Sequence, residues 1–403
     1  MANIIIKGVE TADEQDAVND LMTKVHYPGY YPARQQLDAF IANYPEYHRE
    51  HTRMLLADGQ LAACLCLFTH TIRIGEARIK MGGIGNVATA GPWRGKGCAA
   101  LLMGDVMHYM KSHGYHLSML FGIADFYYRW GFTSVLPDYA SAVELKEADV
   151  TESPVCRERA VKPGDIPGLL RIHNRNDSES SCSIIRSSGH FTNRWERWKE
   201  ARVLTDPRGK VVAYFLCRTS GGELHVDELG TAEQQWNPAV LRHCVLKAQN
   251  EYASRLRFNL PPSHSFVGYV MRFSSDHEMH VYRNSHGMMA PVNIEETLEC
   301  MLPEWESSLT ASAMANISVS VTLVIDRIPY RIRAHHGMLD IAGGPGENKL
   351  SITTQEFMQA LTGYRHLPEI LEGKRSVLTE KATTLLGILF PKRTPYIWLL
   401  DRF

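Results

Sequence analysis

The segment GPWRGKGCAALLMGDVM, residues 91–107, sets Gly91, Gly95 and Gly97, with Arg94 and Lys96, immediately ahead of an apolar helical stripe. Bare backbone at a helix start suits a ligand that touches N–H groups rather than side chains. The unpaired amides there carry roughly half a positive charge, so the chemistry is that of an anion site. Glycine lets an oxyanion approach the chain closely and allows the positive φ such a turn requires. The spacing is neither GxxxxGK[ST] nor a GxGxxG opening from a first strand, which separates it from the common nucleotide loops. A second segment, DFYYRWGF (residues 125–132), gathers phenols that can donate a hydrogen bond or a proton.

The elements around these residues follow from periodicity. IIIKGVETADEQDAVNDLMTKVH reads as a short strand and a helix opened by a Thr11…Glu14 capping box, with Val18, Leu21, Met22 and Val25 on one buried face. A Tyr- and Pro-rich loop follows, then strands through GNVATA, with Asp58-Gly59 as a hairpin turn. From Gly97 the period changes to helical, with Cys98, Leu101, Leu102, Val106, Tyr109 and Met110 forming a stripe that stops at Gly114. A buried strand, HLSMLFGI, leads into ADFYYRWGFTSV, read as helix then strand. The rhythm closes near residue 150 and repeats faintly to about residue 297; within this second stretch the strand-to-helix junction, residues 231–240, is TAEQQWNPAV, without arginine or paired glycines. Beyond 298 come period-two strands (ISVSVTLVID, PYRIRAH, MLDIAGG, KLSITT), the helix QEFMQALTGY, the apolar run VLTEKATTLLGILFPK and the ending TPYIWLLDRF.

Composition bounds the function. The 403 residues exceed one core's usual reach, and 44% hydrophobic with 22% charged residues is ordinary for globular domains. A formal net charge of -1 gives no global attraction to nucleic acid or anionic membrane. No apolar run reaches the roughly 18 residues of a membrane span, and the N-terminus lacks a secretory apolar region, so a cytoplasmic protein is expected. Eight scattered cysteines fit reduced thiols, and 18 histidines without HExxH or CxxC give no metal site.

Arg94-x-x-Gly97-x-Ala99, placed between a strand and an amphipathic helix, resembles the pyrophosphate loop of GNAT acetyltransferases. DFYYRWGF resembles the Y-x-R-x-G-F/Y segment that follows the next strand in that superfamily. With a second, loopless half, a strand-rich C-terminal region and a terminal phenylalanine, the chain resembles the Eis (enhanced intracellular survival) family. The resemblance implies an α/β (α+β) architecture: tandem GNAT folds, each a splayed mixed sheet flanked by helices, then a sterol-carrier-protein-like α+β domain. The divisions would be 1–150 catalytic, 151–297 degenerate and 298–403 sterol-carrier-like. It implies a bacterial homo-hexamer using acetyl-CoA, with no metal, to acetylate small-molecule or lysine-type amines.

Carried over by position, Val87, Ala88 and Thr89 would pair with pantetheine, and Arg94, Gly95, Lys96, Gly97, Cys98, Ala99 and Ala100 would surround the pyrophosphate. Gly122 and Ile123 would sit beside the cofactor, Tyr127 would be the acid and the Phe403 α-carboxylate the base. Asp401 would add local negative potential for the amine. Asn86 stands where a bulky apolar residue can line the acceptor pocket, which leaves amine specificity open. The competing function is a lipid- or sterol-binding or scaffolding protein, its cavity lined by Leu385, Leu386, Ile388 and Leu389.

Overall fold

A computed structural model describes residues 3–148, 150, 152–178, 180–372, 374 and 378–403. In chain order the strands are β1 (Ile4–Gly8), β2 (Thr52–Ala57), β3 (Gln60–Ile74), β4 (Ala77–Thr89), β5 (Leu117–Gly122), β6 (Thr133–Leu136), β7 (Asp138–Glu144), β8 (Arg157–Ala160) and β9 (Arg202–Thr205). They continue as β10 (Val211–Ser220), β11 (Glu223–Thr231), β12 (Arg255–Phe258), β13 (Ser275–His280), β14 (His286–Pro291), β15 (Ser318–Ile325), β16 (Ile328–His335), β17 (Met338–Gly343) and β18 (Lys349–Ile352). Three helices position the site: α1 (Ala12–His26), α2 (Pro32–Ala42) and α3 (Cys98–Ser112).

The chain forms two compact units, Met1–Leu136 with Tyr282–Arg393 and Phe403, and Pro137–Val281 with Thr394–Arg402. In the first, a seven-stranded mixed sheet runs β1-β2-β3-β4-β5-β14-β6, and a four-stranded sheet runs β17-β16-β15-β18. The second unit holds a seven-stranded sheet, β13-β7-β12-β11-β10-β9-β8. The two seven-stranded sheets therefore do not follow a linear division at residues 150 and 297. β7, from before the first boundary, pairs with β12 and β13, and β14, from before the second, fills the slot between β5 and β6. This exchange satisfies backbone groups that two separate copies would leave at open sheet edges.

Several local expectations are realised in detail. Thr11 Oγ1 accepts from the Glu14 N–H at 3.2 Å, and Glu14 returns the bond to the Thr11 N–H. Asp58 (φ 51°) and Gly59 (φ 76°) form the two-residue turn between β2 and β3, the positive-φ pair that matches strand twist. In α3 the buried residues are Cys98, Leu102, Met103, Val106, Tyr109 and Met110, while Leu101 is 48% exposed. At 100° per residue these six share one arc that Leu101 falls outside. The helix expected in ADFYYRWGF is instead one 3-10 turn, Tyr127–Trp130, stopped by Gly131 at φ 80°.

The four-stranded sheet packs its apolar face, including Val321, Leu323, Ile332 and Ala334, into a core. Leu385, Leu386 and Leu389 on helix Glu380–Leu389 are buried, and Ile388 is half-buried. Val377, at the head of the expected helical run, lies outside the described residues. Among the described residues no helix is long and apolar enough to cross a membrane, and the eight cysteines are unpaired.

In the second unit the final segment forms no named strand among the described residues. Its one extended pairing is the bridge Ser181–Pro395, and Tyr396, Ile397, Trp398 and Leu400 are buried. Trp398 Nε1 donates to Asp177 at 3.0 Å and the Tyr396 hydroxyl to the Asn259 carbonyl at 2.7 Å. Buried Arg186 joins this segment to the sheet. Its Nε donates to both Asp401 carboxylate oxygens at 2.8 and 3.0 Å, and its two Nη groups donate to Glu228 at 2.6 and 2.8 Å. Burial by itself would raise the Glu228 carboxyl, but the Arg186 charge and bonds from His173 and Arg186 outweigh it and hold the group at about 2.

A folded-state pKa below the unfolded carboxylate value stabilises the fold above about pH 4.5, and that contribution is lost as pH falls toward 2. Urea midpoints should therefore drop between pH 5 and pH 3. Arg186→Met, which strands two buried carboxylates, should cost about 3–5 kcal/mol at pH 7 and flatten that acid slope. An unchanged midpoint with an unchanged slope would refute the network's role.

Candidate active site

The start of α3 is open backbone. Gly95 (φ 73°) and Gly97 (φ 81°) take left-handed conformations, and nothing lies within 4 Å of a Cβ built on Gly91, Gly95 or Gly97. Gly97 caps the helix without a side-chain bond. Leu101 is the first amide to bond back, to the Gly97 carbonyl at 3.1 Å, so the amides of Cys98, Ala99 and Ala100 head the helix dipole. Arg94 and Lys96 are exposed beside them. Arg94 Nε donates to the Thr89 carbonyl at 3.3 Å, and the Lys96 ammonium lies 4.8 Å from the Trp93 ring centre. Among the described residues no three His, Cys, Asp or Glu side chains converge as metal ligands.

Next to this loop the sheet splits. β4 and β5 pair in parallel from Met81↔Leu117 to Ile84↔Leu120 and no further. Beyond that point β5 continues with β14, through Gly122↔His286, while β4 stays with β3. The β3–β4 register slips between Cys66↔Gly85 and Cys64↔Ala88, a bulge at Asn86, which sits at φ 53°. Val87, Ala88 and Thr89 thus run along the opening with no β5 partner. Ala88 is buried; Val87 and Thr89 are half-buried. The Asn86 side chain turns toward the Cys66 thiol, whose pKa burial pushes up to about 11. His26, the last residue of α1, bonds the backbone of Asn86 and Val87; burial lowers its pKa and those bonds partly offset the shift. Sequence reasoning missed His26. Its one signal was its place between the helix and the tyrosine-rich loop.

Each diverging strand carries one aromatic ring over a glycine. The ring of Tyr127 covers Gly122 of β5, where a Cβ would lie 2.5 Å from it, and contacts Phe126 and Phe132 edge-on at 4.8 and 6.3 Å. Tyr127 is buried, and that burial raises its pKa, so the phenol keeps its proton at neutral pH. Ile123, just beyond, is 69% exposed, whereas Tyr128 and Arg129 face outward.

On β4, Phe403 fills the space that Gly83 and Gly85 leave open. A Cβ on Gly83 would meet its ring at 2.4 Å, and one on Gly85 would meet its carbonyl carbon at 3.0 Å. The ring stacks on His70 (centroids 5.6 Å, 22°) and also contacts Phe68 and Phe121. His70 is itself held by the Tyr44 hydroxyl at 2.5 Å. Asp401 does not supply the free negative potential expected of it: it is buried within the second unit and its carboxylate is engaged by Arg186.

A family model described as an acetyltransferase (GNAT) domain matches residues 11–135. A search of curated proteins finds no match. Three solved structures resemble the whole chain. A probable N-acyltransferase from Enterococcus faecalis has a TM-score of 0.79 at 15% identity, with 100% of both chains covered. A GCN5-related N-acetyltransferase from Kribbella flavida has 0.76 at 16%, covering 100% of this chain and 99% of its own. Eis1 from Mycobacterium abscessus has 0.68 at 12%, with 100% of both covered. At these identities the structures establish the fold over the full length. The family match makes residues 11–135 an acetyltransferase domain of the GNAT type.

The Phe403 slot can be tested without assaying activity. Gly83→Val overpacks it and should cost about 1–3 kcal/mol in unfolding free energy. Phe403→Ala should relieve that clash, so the double variant should be more stable than the two single losses summed. Strict additivity would show that the ring does not occupy the slot.

Proposed function

We propose that this acetyltransferase domain moves an acetyl group from acetyl-CoA to a primary amine by direct attack on the thioester. The observation that carries the reading is the row of unpartnered amides at the start of α3, set next to the β4–β5 opening. A diphosphate suits the first and an extended amide chain the second. The backbone around Arg94–Ala100 would hold the pyrophosphate. Val87, Ala88 and Thr89 would pair with pantetheine, and Gly122 and Ile123 would flank it across the opening. Bound there, the coenzyme supplies an activated acyl carbonyl and a thiolate leaving group.

The chain's own groups divide the proton work. An alkylamine has a pKa near 10.4 and must lose a proton before it attacks, so a group that accepts one is needed. In this reading the Phe403 carboxylate, over Gly85, does so through water, since a model carboxylate near 3.5 is a weak direct base. The developing oxyanion would be met by an amide of the open β4 edge. Tyr127 would donate a hydrogen bond to the departing sulfur. Burial makes it a weaker acid than an ordinary phenol, while a thiol sits near 8.5, so full transfer from it would be uphill. Asn86 and the neighbouring His26 would face the acceptor side of the bulge.

The same chain supplies a contrast. In the second unit, helix Asn237–Asn250 starts with a buried Asn237, whose side chain is taken up by Thr231 at 3.0 Å and the Ser265 carbonyl at 3.5 Å. That start is taken up by its own side chain, and Pro238 brings no N–H to it. A sterol-carrier-like character for the C-terminal region and assembly as a cytoplasmic homo-hexamer rest on the family resemblance and belong to the proposal.

Release of free thiol from acetyl-CoA across polyamines, aminoglycosides and lysine peptides tests the activity and identifies the acceptor. Acetyl-CoA should also raise the melting temperature; stabilisation by fatty acids or sterols alone would favour a carrier. Tyr127→Phe should lower kcat with little change in acetyl-CoA affinity, and a kcat within about twofold of wild type would remove Tyr127 from the mechanism. Residues appended after Phe403 should likewise depress turnover. Undiminished turnover would exclude its carboxylate as the proton acceptor.

A further inference from the structure

The second unit sets a thiol, an imidazole and a carboxylate in sequence. Cys156 precedes β8, the edge strand of its sheet, and Glu158 lies two positions on, within β8. Side chains two apart on an extended chain share a side, and here both reach His243 of helix Asn237–Asn250. Cys156 Sγ lies 3.5 Å from His243 Nε2, and His243 Nδ1 lies 2.8 Å from one Glu158 oxygen. The other Glu158 oxygen accepts from Arg202 Nε at 2.6 Å. The bond from His243, joined by that from Arg202, outweighs burial and holds the Glu158 carboxyl below the usual carboxylate range. An ionised carboxylate only accepts, so the neutral His243 ring carries its proton on Nδ1 and turns the Nε2 lone pair to the thiol.

Burial raises the Cys156 pKa; the Arg242 charge opposes that shift and Glu158 adds to it. At neutral pH the sulfur is therefore a protonated nucleophile with a base beside it and a carboxylate orienting the base, which is how a weak nucleophile is activated as it attacks. Cys156 and His243 are half-buried and Val155 is exposed, so small reagents can reach the thiol. His243 and Glu158 also line a groove of about 450 Å³ with Arg202 and Lys247, which opens the pair to solvent. Cys300 gives a contrast within the same chain. It too is half-buried beside a histidine, with Sγ 3.4 and 3.5 Å from the two nitrogens of His116. There the acceptor nitrogen is already occupied, since His116 Nδ1 accepts from the Lys80 amide at 3.0 Å. Among the described residues no carboxylate hydrogen-bonds that ring.

We propose that Cys156 is a nucleophilic acyl acceptor, a modification site that takes the acyl group of a small activated ester or thioester. Sγ bonds to the acyl carbon while its proton passes to His243 Nε2. The bond from that carbon to the leaving oxygen or sulfur then breaks, and His243 hands the proton to the departing anion. The products are S-acylated Cys156 and a free alcohol or thiol, with nothing oxidised. One proton that leaves on attack and returns on expulsion suits acyl substitution, whereas a thiol kept protonated at rest offers an oxidant no standing thiolate. Glu158 is a positioning residue that fixes the ring. The site lies within the second unit and stands independently of the acetyltransfer reading.

The test exposes the full chain to p-nitrophenyl acetate and maps hydroxylamine-sensitive acetyl groups by peptide mass. Cys156 should label at least about tenfold faster than the half-buried Cys217 and Cys300, a comparison made in wild type and so independent of how any variant folds. His243→Gln should slow Cys156 labelling by about tenfold or more at pH 7. An unassisted thiol reacts through its thiolate, whose share rises about tenfold per pH unit below the pKa. The His243→Gln rate should therefore climb steeply from about pH 7 to pH 8.5, while the wild-type rate changes by less than about threefold. Glu158→Ala should share the steeper profile, a change that lost stability alone would not produce. The proposal fails if wild-type Cys156 labels no faster than Cys300, or if His243→Gln keeps the wild-type rate and pH profile.

Discussion

The candidate site depends on a competition for backbone partners. β5 can hydrogen-bond to β4 or diverge from it, and β14 supplies its other edge as far as Gly122. A bulge at Asn86 turns β4 away at the same level, because the extra residue increases local twist and breaks the register. Neither feature alone opens the sheet. Together they leave a length of β4 backbone whose polar groups need partners, next to a helix start with the same need. Two adjacent deficits in hydrogen bonding, one along a strand and one at a helix end, suit a ligand that is amide along one part and anion at the other.

Glycine does two separate jobs around that opening. Gly95 and Gly97 supply positive φ over empty space, which is a demand on conformation. Gly83 and Gly85 supply absence of volume, because Phe403 occupies what their side chains would fill, and Gly122 does the same for the Tyr127 ring. Placing bulky aromatics on bare strand positions fixes each ring by packing on several sides without a polar anchor. For Tyr127 that packing leaves a desolvated phenol, which favours the neutral donor over the phenolate.

The local features were legible in the sequence because they are short in range. The capping box at Thr11, the Asp58-Gly59 turn, the α3 stripe and the bare loop before it are each set by residues within a few positions of one another. What could not be read is long in range. Nothing local tells β14 to enter the first sheet, since an apolar strand of that kind pairs equally well with either neighbour set. Asp401 was expected near the chemistry from its nearness in sequence to Phe403. Its burial against Arg186 involves a residue more than two hundred positions away, and a guanidinium with two carboxylates has no periodicity to betray it. The glycines at 83 and 85 were visible as letters, but their purpose appears only with the ring that fills them.

The Arg186 cluster and the β15–β16 face show how differently a protein can treat buried polar groups. Around Arg186 the carboxylates of Asp401 and Glu228 and the Tyr214 hydroxyl meet one another's needs. A closed network of this kind is costly to break and offers no donors to a ligand, which suits a structural joint. On the C-terminal sheet Ser320 Oγ, Thr322 Oγ1 and Arg331 Nε have no partner among the described residues, and Gly346 packs closely over that row, where a Cβ would lie 2.7 Å from Thr322 Oγ1. Folding gains nothing from burying Thr322 Oγ1 unmet when valine has nearly the same shape. The row is set by packing: only a residue without a side chain can approach that hydroxyl as closely as Gly346 does.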